Sequence, residues 1–192
     1  MKTVLILLIT IASFFVPTGG ISMYGVKIND SRKSLDHIKL KIIAKDEHMI
    51  KYRTENGNEF SVTFEKGKVV FMENDWLQDS KSRQPLFSKF LFGQTTLQDI
   101  RNRFLTNGFT YKSKGTIKTD TELIELNCFE FDSKNNEVLV VITKTALKEG
   151  VKKENMASKL KLDAIIIAEK AYLDRFSGKE KVFGKNYKKI KP

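Results

Sequence analysis

The 192-residue chain contains one cysteine, three prolines, two histidines and one tryptophan. A single cysteine cannot build the disulfide framework that staples many small secreted domains. His37 and His48 stand far apart with no cysteine at ligand spacing, so neither a zinc site nor any other metal or cofactor is expected. The sequence also lacks a Gly-x-Ser-x-Gly elbow, a phosphate loop ending in Gly-Lys-Ser/Thr and a Gly-x-Gly-x-x-Gly fingerprint. Their absence removes the common motifs of serine hydrolases and nucleotide enzymes. A membrane-spanning helix needs about 20 apolar residues, and the longest apolar run, Val4 to Val16, has thirteen.

What is present points first to export. Lys2 precedes that apolar run, and Pro17-Thr18-Gly19-Gly20 follows it, which is the pattern of a secretory signal peptide. Residues 1–20 are therefore read as the signal, with the mature chain starting near Ile21 and the product periplasmic or secreted. Cys128 is too far from that boundary to carry a lipid anchor. An apolar content of 41% is too high for a disordered chain and allows a real core.

Charge is the second signal. There are 34 Lys and Arg against 23 Asp and Glu, a net charge of +11, and the excess gathers toward the C-terminus. In the tail, residues 178–192, Lys179, Lys181, Lys185, Lys188, Lys189 and Lys191 face Glu180 alone and are interleaved with Phe183 and Tyr187. Such a tail reads either as a solvated terminus or as an electrostatic footprint for an anionic envelope surface or acidic protein. Nucleic acid is not expected as a partner of an exported chain.

Periodicity gives the elements. Leu35 and Ile38 suit a short helix capped by Asn29, Asp30 or Ser31, while Ile38, Leu40 and Ile42 permit a strand instead. Strands are expected over His48 to Arg53, around Phe60, Val62 and Phe64, and over Val69 to Met72, joined by Glu55-Asn56-Gly57-Asn58 and Lys66-Gly67-Lys68. Residues 77–91 read as a polar connector. Thr96 and Asp99 form a capping-box pattern for a helix carrying Leu97, Ile100 and Phe104, closed by Asn107-Gly108. Strands follow over Leu123 to Phe131 and Glu137 to Thr143. The triplet Ile165-Ile166-Ile167 marks another strand, and Glu169 to Phe176 a short helix stopped at Gly178.

Tyr24-Gly25 with its helix and strands matches Phe92-Gly93 with its own at an offset of roughly 68 residues. The expected fold is α+β: two tandem modules, each a short helix packed on an antiparallel β-meander, at residues 21–76 and 92–177, with one continuous α+β domain as the alternative.

The run Phe92-Gly93-Gln94-Thr95-Thr96-Leu97-Gln98-Asp99-Ile100-Arg101, placed after a signal peptide and before a meander, resembles the small αβ modules of BamE-like outer-membrane assembly proteins and of β-lactamase inhibitor protein-like tandems. That resemblance implies non-catalytic protein binding through sheet faces and loops. The expectation is an exported, non-enzymatic protein-binding module of the bacterial envelope, of the inhibitor or immunity-protein kind, whose partner is another exported or envelope protein. The candidate contact residues are Tyr24 and Trp76, as rigid aromatic anchors, and Lys185, Lys188, Lys189 and Lys191 in the tail. The alternative is a small cell-wall hydrolase using a carboxylate pair, Glu73 with Asp75 or Glu122 with Glu125. Cys128, inside an expected strand, reads as a buried hydrophobe.

Overall fold

The computed structural model describes residues 21–77 and 90–191. The expected signal peptide and most of the polar connector lie outside those residues. A two-stranded hairpin, β1 (Ser22–Met23) and β2 (Val26–Lys27), comes first, followed by a 3-10 turn over Arg32–His37. Ser31 caps that turn: its side chain accepts the backbone N–H of Ser34. Four strands then run as a meander: β3 (Lys41–Lys45), β4 (Met49–Arg53), β5 (Glu59–Glu65) and β6 (Lys68–Asp75).

The second half opens with α1 (Leu97–Phe104), and the Thr96–Asp99 capping box forms as its residues predict. The helix ends earlier than Asn107-Gly108, because Leu105 itself takes the left-handed conformation at φ 53°. Short strands β7 (Phe109–Tyr111) and β8 (Thr116–Lys118) precede the long β9 (Glu122–Glu130) and β10 (Glu137–Ala146). A four-residue α2 (Met156–Lys159), β11 (Lys161–Glu169), α3 (Lys170–Ser177) and β12 (Lys181–Phe183) complete the chain.

The expectation of an α+β fold with two helix-on-meander modules is corrected here. The strands form one ten-stranded antiparallel sheet in the order β12-β7-β9-β10-β11-β6-β5-β4-β3, with β8 pairing to β9. Its centre is the β6–β11 pair, where Phe71 to Asp75 lie opposite Ala168 to Ala164. The two meanders therefore do not close separately, since the last strand of each supplies the edge that the other would leave open. Among the described residues the helices are short, no longer than eight residues, and the first half has only its 3-10 turn. The molecule is mostly β because the alternating pattern is long and the helical one brief.

One face of this sheet is apolar across six strands. The register aligns Ile50, Val62, Met72, Ile167, Leu139 and Phe129 in one row. Tyr52, Phe60, Asn74, Ile165, Val141 and Asn127 form the next. Met23 and Val26 of the hairpin, Leu35 of the 3-10 turn, and Leu97 and Ile100 of α1 cover these rows, giving a core shared by both halves. Each fully buried Leu, Ile or Phe there contributes about 1.5–3 kcal/mol.

The tail joins this architecture as well. β12 pairs with β7, the rings of Phe183 and Tyr187 pack on Phe109 at 5.6 and 6.2 Å, and Ile190 is buried beside Phe131 in the main core. Glu130 ties it down, accepting from Lys170 at 2.9 Å and from Tyr187 at 3.0 Å, and pairing with Lys189 at 3.2 Å. Burial alone would raise the Glu130 carboxyl, but these hydrogen bonds hold it below the usual range.

Candidate functional site on the second sheet face

Side chains alternate along a strand, so the residues between the core positions share the other face. Their rows differ in kind from those of the first face. One row runs Lys51, Ser61, Glu73, Ile166, Val140, Cys128, and the next runs Arg53, Glu59, Asp75, Ala164, Ile142, Leu126. A third runs Met49, Thr63, Phe71, Ala168, Val138, Glu130. Within the first two rows, β4, β5 and β6 supply polar and charged groups, whereas β11, β10 and β9 supply apolar ones. β6 is the boundary, and Glu73 and Asp75 are its last polar members before the hydrocarbon of β11.

That position sets their proton affinity. Ile166 and Ala164 lie directly across from the two carboxyls, and burial pushes Glu73 up to about 7, with the adjacent Asp75 charge adding to the push and Lys51 opposing it. Burial raises Asp75 as well, again against the pull of Lys51. The two side chains stand at i and i+2 on one strand and are within hydrogen-bonding reach of each other. Lys51 is shared, since its ammonium also donates to Glu59 at 2.6 Å, and Arg53 holds the other Glu59 oxygen at 2.8 Å. Across the seam Asp163 pairs with Lys144 at 2.9 Å.

Beside this polar group α3 roofs the apolar half of the rows. A cavity of about 250 Å³ lies between helix and sheet, lined by Phe71, Leu126, Cys128, Val140, Ile142, Ile166, Leu173 and Phe176, with Glu73, Tyr111, Lys114 and Ser177 as its polar members. Tyr111 donates its hydroxyl to Asp174 at 2.7 Å and fixes the helix over the sheet. Burial drives the Cys128 thiol far above its ordinary proton affinity, which makes it an inert part of the lining. Volume and lining suit one apolar side chain or a short acyl group, with the Glu73 carboxyl at the rim. A larger concavity of about 580 Å³ lies near the β3 edge between the 3-10 turn and Ile42, with Arg32, Lys33 and Lys45 at its rim. It contains one carboxylate, Asp36, and no pair.

The expected contact residues are not gathered here. Tyr24 packs its ring on Phe60 at 4.8 Å on the covered face, and its hydroxyl meets Thr54 and Asn74. Trp76 stacks on Phe92 at 6.4 Å and lies so close over Gly93 that a β-carbon there would strike the indole. Both aromatics are half-buried. Lys185, Lys188, Lys189 and Lys191 are exposed along the docked tail, Lys189 in its ion pair with Glu130. The Glu122–Glu125 pair does not form: three residues apart on β9, the two point to opposite faces, and Glu125 turns to Arg101 of α1 at 3.4 Å.

Sequence reasoning weighed Glu73 and Asp75 only as hydrolytic carboxylates and missed Phe71, Leu173, Phe176 and the cavity. The i, i+2 spacing on an alternating strand was the available signal for their shared face. Among the described residues no helix is long and apolar enough to cross a membrane, and no three His, Cys, Asp or Glu side chains are grouped so as to hold a metal ion. Compared with family models, curated proteins and solved structures, the chain finds no match in any of the three.

Proposed function

We propose that the protein is an exported, non-enzymatic binding module that receives a partner protein on the second sheet face. The observation that supports this reading most is the division within the cross-strand rows. On β4 and β5 the residues of that face are half-exposed except the buried Ser61 and the exposed Glu65, and the charged strip they form runs directly into an apolar cavity. A polar surface around one buried apolar pocket is the anatomy of a protein interface with a single anchoring side chain. In this reading the partner places an apolar side chain between α3 and the sheet, and the Glu73–Asp75 carboxyl pair at the rim meets polar groups of the same segment. The exposed tail lysines add a salt-dependent attraction to an anionic envelope surface.

The hydrolase alternative has one observation in its favour, a Glu73 carboxyl poised near neutrality beside a second acid. Glycosidases, however, separate their carboxyls by about 5–10 Å to admit the sugar and water. Glu73 and Asp75 are in mutual hydrogen-bonding reach, which leaves no such space.

The test places a photo-cross-linking residue at Thr63, at Ile43 on the β3 edge, or at Lys185 in the tail, in protein exposed to envelope extract. Capture of one species from Thr63 only, lost when Glu73→Lys is added, supports the proposal. Capture from Lys185 alone would overturn it. Release of soluble cell-wall fragments that Glu73→Gln abolishes would favour the hydrolase.

A further inference from the structure

We propose that cleavage between Gly20 and Ile21 completes the fold by creating a buried ion pair, in which the new α-ammonium of Ile21 sits against the carboxylate of Glu137. The inference rests on the export reading and adds to it a structural consequence of processing.

Glu137 opens β10 with its side chain on the covered face and has 0% of its surface exposed. One carboxyl oxygen, Oε1, is approached by the Asn135 amide at 3.5 Å, while Oε2 is buried without a hydrogen-bond partner. An ionised carboxylate left in that state is costly, because buried charges persist only when paired. The backbone N–H of Ile21 is directed at this carboxylate, and the Ile21 side chain packs on the main core next to the hairpin. Thus the first residue after the expected signal already has its nitrogen at the least satisfied acid in the core.

Thr18 and Gly20 put small residues third and first before the Gly20–Ile21 bond, the spacing that a signal-type peptidase accepts. Hydrolysis adds one water: its oxygen goes to the Gly20 carbonyl carbon, which departs with the signal as a carboxylate, and its protons leave Ile21 with a free amine that is protonated at neutral pH. A neutral amide donor is thereby replaced by a cation with three N–H groups, enough to serve both Glu137 oxygens. Burial raises the proton affinity of Glu137 against the pull of Asn135, the Ile21 N–H and Lys27 on β2, and the other charged group near it is Glu169, directly opposite on β11. Lys27 and Glu169 are unchanged by processing and by the variant below.

The full-length chain is expressed in an exporting bacterial host, recovered from the envelope and weighed intact to identify its first residue. Isoleucine carrying 13C and 15N, supplied during expression, labels Ile21 with all three N–H groups of its α-ammonium intact, and the Ile21 Cα shift is followed against pH. The expected result is a first residue of Ile21 whose amine titrates at least one pH unit, about tenfold, above the ordinary range of about 7.7–8.0. In Glu137→Gln it returns to that range. An Ile21 amine in the ordinary range in the unaltered protein overturns the ion pair while leaving export intact. A different first residue overturns the inference at its cleavage premise, and the unaltered protein decides the matter even if Glu137→Gln fails to fold.

Discussion

The two faces of the central sheet are built from the same strands, yet they have opposite chemistry. On the covered face the row from Ile50 to Phe129 is apolar from end to end, and the hairpin, 3-10 turn and α1 close over it. On the second face the row from Lys51 to Cys128 changes from charged to apolar at β6, and α3 covers its apolar part. The first arrangement produces stability. The second leaves a polar surface, a cavity and two acids that resist ionisation, which is how a fold holds a site at some cost to itself.

The sharpest way to break this comparison is to remove volume from each face. Phe129→Ala, in the centre of the covered face, is expected to cost about 3–5 kcal/mol, read from denaturant unfolding. Ile190→Ala in the tail is expected to cost about 2–4 kcal/mol, because Ile190 is buried in the same core and its loss loosens the segment that Glu130 ties down. Were the tail a solvated appendage, that variant would unfold like the unaltered protein.

Glu73→Gln sharpens the contrast through pH. A carboxyl whose folded value lies near 7, above its ordinary 4.5, binds its proton more tightly in the folded state. The stability it contributes is complete below about pH 4.5 and is lost as pH rises through about 7. The unaltered protein should therefore lose about 3 kcal/mol relative to Glu73→Gln between pH 4.5 and pH 8, and the two curves should run nearly parallel above that. Unfolding curves that are parallel over the whole range would remove the cost assigned to this face. The smallest effect is expected at Thr63→Ala, half-exposed on the polar strip, which should change stability by no more than about 0.5 kcal/mol.

The legible parts of the fold are those that local pattern controls. The capping box at Thr96, the alternation in β4, β5 and β9, and the Ile165–Ile167 strand followed by α3 all depend on near neighbours in sequence. The β6–β11 pairing does not, since it joins residues about ninety positions apart and no local period encodes which edge meets which. It turned two expected modules into one sheet. β7, β8 and β12 have three residues each, too few to show a period of two. In the tail Phe183 and Tyr187 stand out among the lysines, but neither they nor Ile190 fall in a periodic pattern that would show them docking.

The candidate site was partly visible for the same reason. Alternation alone brings Glu73 and Asp75 to one face, but their altered proton affinity comes from Ile166 and Ala164 across the seam. Tyr24 and Trp76 were sensible anchors by residue type. They are half-buried against Phe60 and Phe92 because a thin sheet needs its aromatics to close the ends of the core.

The most direct measurement is the titration of the Glu73 side-chain carboxyl by carbon NMR, assigned by comparison with Glu73→Gln. If the second face holds its acids at the edge of an apolar cavity, the Glu73 resonance moves with a midpoint near pH 7 and Asp75 titrates in the same spectra as a coupled neighbour. A Glu73 midpoint near its ordinary value of 4.5 would show the carboxyl open to water and would contradict the account of this face as a binding site.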